Sequence, residues 1–242
     1  MNKITNSHMI AKMIDHSLLA PYLNDAELEK GCEIAKKWDV ASVCIKPYHV
    51  PLARKLLEGT DVLVGAVIAF PHGNSTIETK VFECKDVLAM GAQEVDMVVN
   101  IGKVVDEDWE YVEREIGSIV ALTKEAGAAL KVIFENDMLH GNDALKIQLC
   151  KICSKLKVDF VKTSTGYCFN KGADGKWTYE GATEHDLTLM RKYSDPDVQV
   201  KAAGNVGMLD TMIHLYEDIG VTRVGTARTE EIMRAALERF GK

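Results

Sequence analysis

Short apolar, β-rich segments alternate with longer amphipathic segments along the whole chain. The apolar segments have the composition and flanking turn residues that are typical of strands. The amphipathic segments repeat apolar residues at helical spacing. The predicted strands are Met13–Asp15, Val40–Ile45, Val62–Ala69, Glu94–Val99, Leu130–Glu135, Asp159–Thr163, Val198–Ala202 and Arg223–Gly225.

A helix is predicted after each strand, over residues 25–38, 50–58, 75–90, 108–126, 142–156, 183–193, 207–219 and 229–239. Eight strand–helix units within about 250 residues predict an α/β fold made of a single (β/α)8 TIM barrel. An open doubly wound sheet is the alternative, but its G-x-G-x-x-G fingerprint does not follow the first strand. No low-complexity linker divides the chain, so we expect one domain over residues 1–242.

The alternation of side chains along each strand predicts which residues face the barrel interior. The outer face of a barrel is apolar because it meets the helices. Val95, Met97 and Val99 meet this condition in the fourth strand, which turns Asp96 inward. Applied to the other strands, the same alternation predicts an interior that contains Asp15, Cys44, Asp96, Lys131, Glu135, Lys162 and Lys201.

Lys162 and Lys201 are the strongest candidates for chemistry in this interior. Each lies in a strand that runs into small residues and a glycine. Burial and a neighbouring cation both disfavour the ammonium form of a lysine, which can make its amine nucleophilic near neutral pH. A purely structural ionic lattice is the alternative. Such lattices seldom gain stability over apolar packing, so the pattern favours catalysis.

The composition narrows the classes of partner. The chain of 242 residues has a net charge of −7 and no basic cluster, which argues against nucleic-acid binding. Its N-terminus lacks the apolar core of a signal peptide, and its longest apolar run, residues 62–70, is too short to span a bilayer. We therefore predict a cytoplasmic protein with reduced thiols and no membrane partner. His16, His72 and His185 have no second ligand at metal spacing, so no metal site is predicted.

Motifs in eight places carry a resemblance that covers nearly the whole chain. They read IDHSLL at residues 14–19, SVC at 42–44, FPHG at 70–73, EVDMVVN at 94–100, KVIFE at 131–135, VKTSTG at 161–166, VKAAG at 200–204 and RVGT at 223–226. Each motif is weak alone, but their number and order are specific. The chain resembles the 2-deoxyribose-5-phosphate aldolase family, whose members are class I, Schiff-base aldolases on a (β/α)8 barrel.

This resemblance implies the reversible cleavage of 2-deoxy-D-ribose 5-phosphate to acetaldehyde and D-glyceraldehyde 3-phosphate, without a metal or an organic cofactor. The family's Schiff-base lysine falls on Lys162, its second lysine on Lys201 and its proton-relaying aspartate on Asp96. The substrate-binding residues that the resemblance implies are Asp15, Cys44, Thr165, Gly166, Gly204, Asn205, Gly225, Thr226 and Arg228.

Two departures from the family fall on the loops after the seventh and eighth strands, where barrels commonly hold phosphate. Where the family usually has Gly-Gly-Val/Ile-Arg/Lys, this chain has Gly204-Asn205-Val206-Gly207, which loses a glycine and a basic residue. Where the family favours serines after the last glycine, this chain has Thr226-Ala227-Arg228. Arg228 can supply the missing cation or can lie in solvent at the start of the last helix, and the sequence leaves both open.

A third departure is the long loop over residues 167–181, which we expect to be either a functional lid or disordered. The altered phosphate loops leave open a class I aldolase that acts on a different or non-phosphorylated sugar. A non-catalytic sugar-phosphate sensor is the alternative from another class, and the intact Asp96, Lys162 and Lys201 argue against it. Barrels often pair through their outer helices, so a homo-oligomer also stays open.

Overall fold

The computed structural model describes residues 3–139, 141–171 and 174–241. Among these residues, eight parallel strands close into a barrel in chain order, and the last strand pairs with the first. The predicted (β/α)8 barrel is therefore confirmed. The strands are β1 (Ile14–Leu18), β2 (Ser42–Ile45), β3 (Leu63–Ile68), β4 (Glu94–Val98), β5 (Ala129–Ile133), β6 (Phe160–Lys162), then β7 (Asn170–Lys171) and β8 (Trp177–Thr178), which form a separate antiparallel pair, and finally β9 (Gln199–Ala203) and β10 (Arg223–Thr226).

The helices surround the barrel, and each predicted helix is present with ends that differ by at most two residues, except that the seventh ends in a π-helical turn. Two further short α-helices in the described residues, Ser7–Ala11 (α1) and Ile101–Val105 (α5), were not predicted because five residues are too few to show a helical period. The helices are α1 (Ser7–Ala11), α2 (Asp25–Trp38), α3 (Val50–Leu56), α4 (Ile77–Ala89), α5 (Ile101–Val105), α6 (Trp109–Ala126), α7 (Asp143–Leu156), α8 (Glu184–Tyr193), α9 (Leu209–His214, followed by the π-helical turn Leu215–Ile219) and α10 (Thr229–Phe240).

The main hydrophobic core lies between the barrel and its helices. Val95 and Met97 of β4 are fully buried in it, as the alternation predicts, and so are Val132 of β5 and Val161 of β6. Apolar side chains on the outer face hold each strand against a helix, so the inner face is left to carry the polar groups.

The long loop over residues 167–181 carries the hairpin of β7 and β8, in which Asn170 pairs with Thr178 and Lys171 with Trp177. Gly172 and Ala173 of this loop lie outside the described residues. The hairpin thus begins eight residues after Lys162, the last residue of β6.

All six cysteines are buried free thiols, in agreement with the predicted reduced state. Within the described ranges, no helix has both the length and the apolar character needed to cross a membrane.

Candidate active site

Asp96, on β4, lies at the centre of a buried cluster of charged side chains inside the barrel. Its Oδ2 accepts hydrogen bonds from Nζ of Lys162 at 2.8 Å and from Nζ of Lys201 at 2.7 Å. Its Oδ1 lies 3.0 Å from Nζ of Lys131. The strand register explains this convergence, because Asp96 pairs with Lys131 across β4 and β5, and Lys162 pairs with Lys201 across β6 and β9. The three residues predicted as catalytic therefore meet at one carboxylate.

Asp15, on β1, is a counter-ion of the same cluster. Its Oδ2 lies 2.5 Å from Nζ of Lys201 and 3.0 Å from Nζ of Lys131. Its Oδ1 accepts hydrogen bonds from Nη1 of Arg223 and from the Ser42 hydroxyl, both at 2.6 Å. The carboxylate implied as a substrate ligand is thus already engaged by protein groups on both oxygens.

Glu94 and Arg223 complete the cluster, and their part in it was missed. Glu94 lies 2.5 Å from Nζ of Lys131 and accepts a hydrogen bond from Arg223 at 3.0 Å. The signal was present in the sequence, since alternation turns Glu94 inward with Asp96. Arg223 shares the inner face of β10 with Gly225 for the same reason.

Glu135 does not belong to the cluster, contrary to the prediction. It lies two residues beyond the end of β5 and has a φ of +57°, so the alternation of an extended strand no longer applies to it. Its buried carboxylate instead accepts the backbone N–H of Thr165 at 3.2 Å. Glu135 thus supports the loop that follows β6.

The balance of charge in the cluster singles out Lys162. Four cationic side chains face three carboxylates, so one neutral amine makes the cluster balanced. Burial lowers the pKa of Lys162 most, and the charge of Lys201 lowers it further, against the opposing pull of Asp96. Burial also disfavours charge on Lys131 and Lys201, but the nearby carboxylates more than offset it and raise the pKa of both. Lys162 is therefore the lysine of this cluster that gives up its proton most readily. The cations are Lys131, Lys162, Lys201 and Arg223, and the carboxylates are Asp15, Glu94 and Asp96.

A pocket of about 410 Å³ opens above the cluster at the carboxyl ends of the strands. This is the end at which enzymes with this fold carry their active sites. Ten of the residues predicted to be catalytic or to bind substrate line it. They are Cys44, Lys162, Thr165, Gly166, Lys201, Gly204, Asn205, Gly225, Thr226 and Arg228.

Comparison with known proteins decides the family. A model of the DeoC/LacD family of aldolases matches residues 5–214. The chain belongs to this family. A deoxyribose-phosphate aldolase of Rhodopirellula baltica is 45% identical over 234 residues, which cover 97% of this chain and 92% of that protein. A deoxyribose-phosphate aldolase of Clostridium perfringens is 43% identical over 222 residues, which cover 92% and 93%. The solved structure of a tetrameric deoxyribose phosphate aldolase from Aeropyrum pernix has a TM-score of 0.84 and 25% identity, with coverage of 96% and 93%.

A small apolar cluster adjoins the pocket of this DeoC/LacD aldolase, and its Leu19, Cys44 and Tyr167 line the pocket. Leu19, Cys44 and Val67 are buried together there, and the rings of Phe70 and Tyr167 pack against them in an edge-to-face arrangement at 5.6 Å. Of these five residues only Cys44 was predicted in the site. The others lie in loops or on the inner face of β3, where single apolar residues give no chemical signal.

Gly207 and Arg228, from the loops after β9 and β10, line the pocket and lie in contact. A Cβ added to Gly207 would lie 2.7 Å from Cδ of Arg228, so the arginine side chain occupies the space above this glycine. Arg228 immediately precedes α10, its side chain is 56% exposed, and its guanidinium binds the carboxylate of Glu231, with Nε at 2.8 Å. The side chain of Arg228 thus lies over position 207, where the sequence lacks the family's basic residue.

Of the histidines considered in the sequence, His16 has a buried ring that bonds to the Thr229 hydroxyl at 2.8 Å. His185 differs, because Asp143 and Asp186 lie close enough to form a metal-like group with it. Nζ of Lys146 lies 2.5 Å from Asp186 and 3.5 Å from Asp143, so its ammonium group already pairs with both carboxylates. We therefore interpret this group as an ion pair rather than a metal site.

We expect Glu135 to make the stability of this enzyme depend on pH. Burial raises the pKa of Glu135 to about 7, although the hydrogen bonds from Thr165 oppose this rise. Because the pKa is higher in the folded state, the folded chain holds the proton more tightly, and stability falls as the pH rises from about 4.5 to about 7.

Glu135→Gln removes this titration. We expect the free energy of unfolding of the variant minus that of wild type to rise by roughly 2–3 kcal/mol between pH 5 and pH 8, measured by urea unfolding. The exposed Glu180→Gln is the control, and a constant difference for Glu135→Gln would contradict the assignment.

Proposed function

We propose that this chain catalyses the reversible aldol cleavage of 2-deoxy-D-ribose 5-phosphate through a Schiff base on Lys162. The observation that carries the proposal is the position of Lys162, a buried lysine with a lowered pKa that lines the pocket 2.8 Å from Asp96. The names of the curated relatives from Rhodopirellula baltica and Clostridium perfringens support the substrate.

The first step joins the enzyme to the substrate. The neutral amine of Lys162 adds to the C1 aldehyde of the open-chain sugar, and loss of water gives a protonated imine. Lys201 keeps its proton because Asp15 and Asp96 raise its pKa, so it supplies a fixed positive charge beside the reacting nitrogen.

In the second step the C2–C3 bond breaks. The C3 hydroxyl loses its proton and becomes the aldehyde of glyceraldehyde 3-phosphate, while the bonding electrons move to C2 and neutralise the iminium as an enamine. Protonation of C2 and hydrolysis of the imine then release acetaldehyde, which consumes the water lost in the first step. The cycle has no net gain or loss of protons and does not need an organic cofactor or a metal.

Asp96 is the group best placed to guide these protons. The neighbouring ammonium groups hold its pKa well below the ordinary range in spite of its burial. Its carboxylate therefore stays ionised and acts as an acceptor that orients a hydroxyl group or water, which carries the proton between C3 and C2.

Arg228 is the proposed phosphate ligand, together with the N-terminus of α10. We expect Arg228→Ala to raise KM for 2-deoxyribose 5-phosphate by roughly ten- to hundredfold, the equivalent of one charge-assisted hydrogen bond. The same variant should leave the cleavage of unphosphorylated 2-deoxyribose nearly unchanged. Steady-state kinetics on both sugars check this result.

The control is Arg234→Ala, since Arg234 lies on the same helix, is exposed and pairs with Glu230. An equal loss on both sugars would assign Arg228 to positioning rather than to phosphate binding. If wild type itself prefers the unphosphorylated sugar, the alternative substrate class replaces the proposed one.

The tetramer of the Aeropyrum pernix relative supports a homo-oligomer for this chain as well. The cytoplasmic location stays a prediction from the sequence.

A further inference from the structure

The long loop returns to the barrel through a segment that contacts two glycines of the pocket lining. This return segment is Tyr179-Glu180-Gly181-Ala182. The hydroxyl oxygen of Tyr179 lies against Gly204, where an added Cβ would be only 1.8 Å away. The same oxygen would lie 3.6 Å from a Cβ on Gly166. Gly166 and Gly204 line the pocket, and Tyr179 contacts both without being one of the lining residues.

The return segment is also tied to the backbone of the Gly204–Asn205 loop. The N–H of Ala182 donates to the Gly204 carbonyl at 3.1 Å, and Nδ2 of Asn205 donates to the Glu180 carbonyl at 2.9 Å. Gly181 has a φ of +71°, and a Cβ on it would lie 2.8 Å from the Gly204 carbonyl carbon. The two backbones therefore lie in direct contact, with no room for a side chain between them.

Asn205 connects two of the departures seen in the sequence. Its φ is +56°, a left-handed conformation that asparagine tolerates better than most residues. It can therefore stand where the family has a glycine, and its side-chain amide gains a bond to the long loop that glycine cannot make.

Asp137 anchors the other side of the return segment. Its carboxylate accepts the N–H groups of Glu180 at 2.7 Å and of Gly181 at 3.0 Å. Asp137 belongs to a 3-10 helix, Asn136–Leu139, which follows β5. The segment thus connects the loop after β5 with the loop after β9. Lys131 lies on β5 and Lys201 lies on β9.

We infer that the return segment is a positioning element for the Gly204–Asn205 loop, with Tyr179 and Asn205 as its positioning residues, and that it sets the affinity of the pocket for substrate. The inference rests on the proposed function for its substrate, 2-deoxyribose 5-phosphate. The strands hold Lys162, Lys201 and Asp96 independently of this segment, so its loss affects substrate binding more than the chemical step.

Kinetics of Asn205→Gly and Tyr179→Ala test the effect on binding. Asn205→Gly keeps the positive φ without strain but removes the tether, and we expect KM to rise by roughly three- to tenfold, the equivalent of one hydrogen bond. Tyr179→Ala should raise KM by a similar factor, with kcat lowered less than KM is raised. The double variant should exceed the worse single variant by less than twofold, because both residues act on one loop. Lys176→Ala, an exposed change near the hairpin turn, is the control.

Amide hydrogen exchange separates this inference from the proposed function, since it does not require turnover. Asn205→Asp keeps the size and the backbone preference of asparagine but has no donor for the Glu180 carbonyl. We expect faster exchange over residues 203–208 in this variant than in wild type. Unchanged exchange in Asn205→Asp would show that the Asn205–Glu180 hydrogen bond does not hold the loop. Faster exchange in Asn205→Asp together with an unchanged KM in Asn205→Gly would show that this bond has no role in substrate binding. If wild type were inactive on the sugar phosphate, the proposed function would be refuted. The exchange measurement would still test whether the Asn205–Glu180 hydrogen bond holds the loop.

Discussion

Lys162→Ala is expected to lower kcat/KM for the cleavage of 2-deoxyribose 5-phosphate by roughly 10⁴- to 10⁶-fold, the range typical of the loss of a covalent nucleophile. The reason is that no other lysine of the cluster has a lowered pKa. The carboxylates raise the pKa of Lys131 and Lys201, so neither offers a free amine near neutral pH. Asp96 keeps both of these partners in the variant, so the fold should survive.

The matched variant is Lys162→Arg, which places a fixed positive charge where wild type has a neutral amine and cannot form the imine. Its activity should fall as far as that of Lys162→Ala, and circular dichroism should show that both variants are folded. Substantial activity in the arginine variant would mean that charge, rather than imine formation, is what Lys162 supplies.

Lys201→Leu is expected to move the acidic limb of the pH–rate profile to higher pH. Lys201 lowers the pKa of Lys162, so its removal makes the Lys162 amine harder to deprotonate. The charge balance leads to the same result, because three cations, including a protonated Lys162, would then match the three carboxylates. A rise of roughly one pKa unit would lower activity about tenfold below the new pKa and restore part of it at higher pH.

The control for this change is Lys201→Arg, which retains the charge next to Lys162 and should keep the acidic limb near its original pH. The profile of kcat/KM against pH distinguishes the two variants. If activity falls in Lys201→Leu while the acidic limb stays in place, Lys201 acts through direct proton transfer or by orienting Asp96.

The order of strands and helices and the inner face of most strands could be predicted from the sequence. The helical spacing of apolar residues marks the helices, and the alternation of side chains along each strand marks its inner face. Alternation brought Asp96, Lys162 and Lys201 together because each lies within a regular strand whose outer neighbours are apolar. It failed at Glu135, where a residue with positive φ ends the regular strand. The rule predicts side-chain direction only as far as the backbone stays extended.

The contacts between loops could not be predicted in the same way. Arg228 above Gly207 and the Asn205 amide on the Glu180 carbonyl join residues that are distant along the chain. Neither contact follows from a period or a local propensity. The sequence marked these positions only as departures from the family, and the fold was needed to show which residues they contact.

Trapping of the imine tests the central assignment most directly. Acetaldehyde and borohydride, added together to wild type, should convert the imine to a stable N-ethyl group, which peptide mapping by mass spectrometry locates. We predict that the label falls on Lys162 and that it is lost in Lys162→Arg. A label on Lys131 or Lys201, or active enzyme without any label on Lys162, would contradict the account.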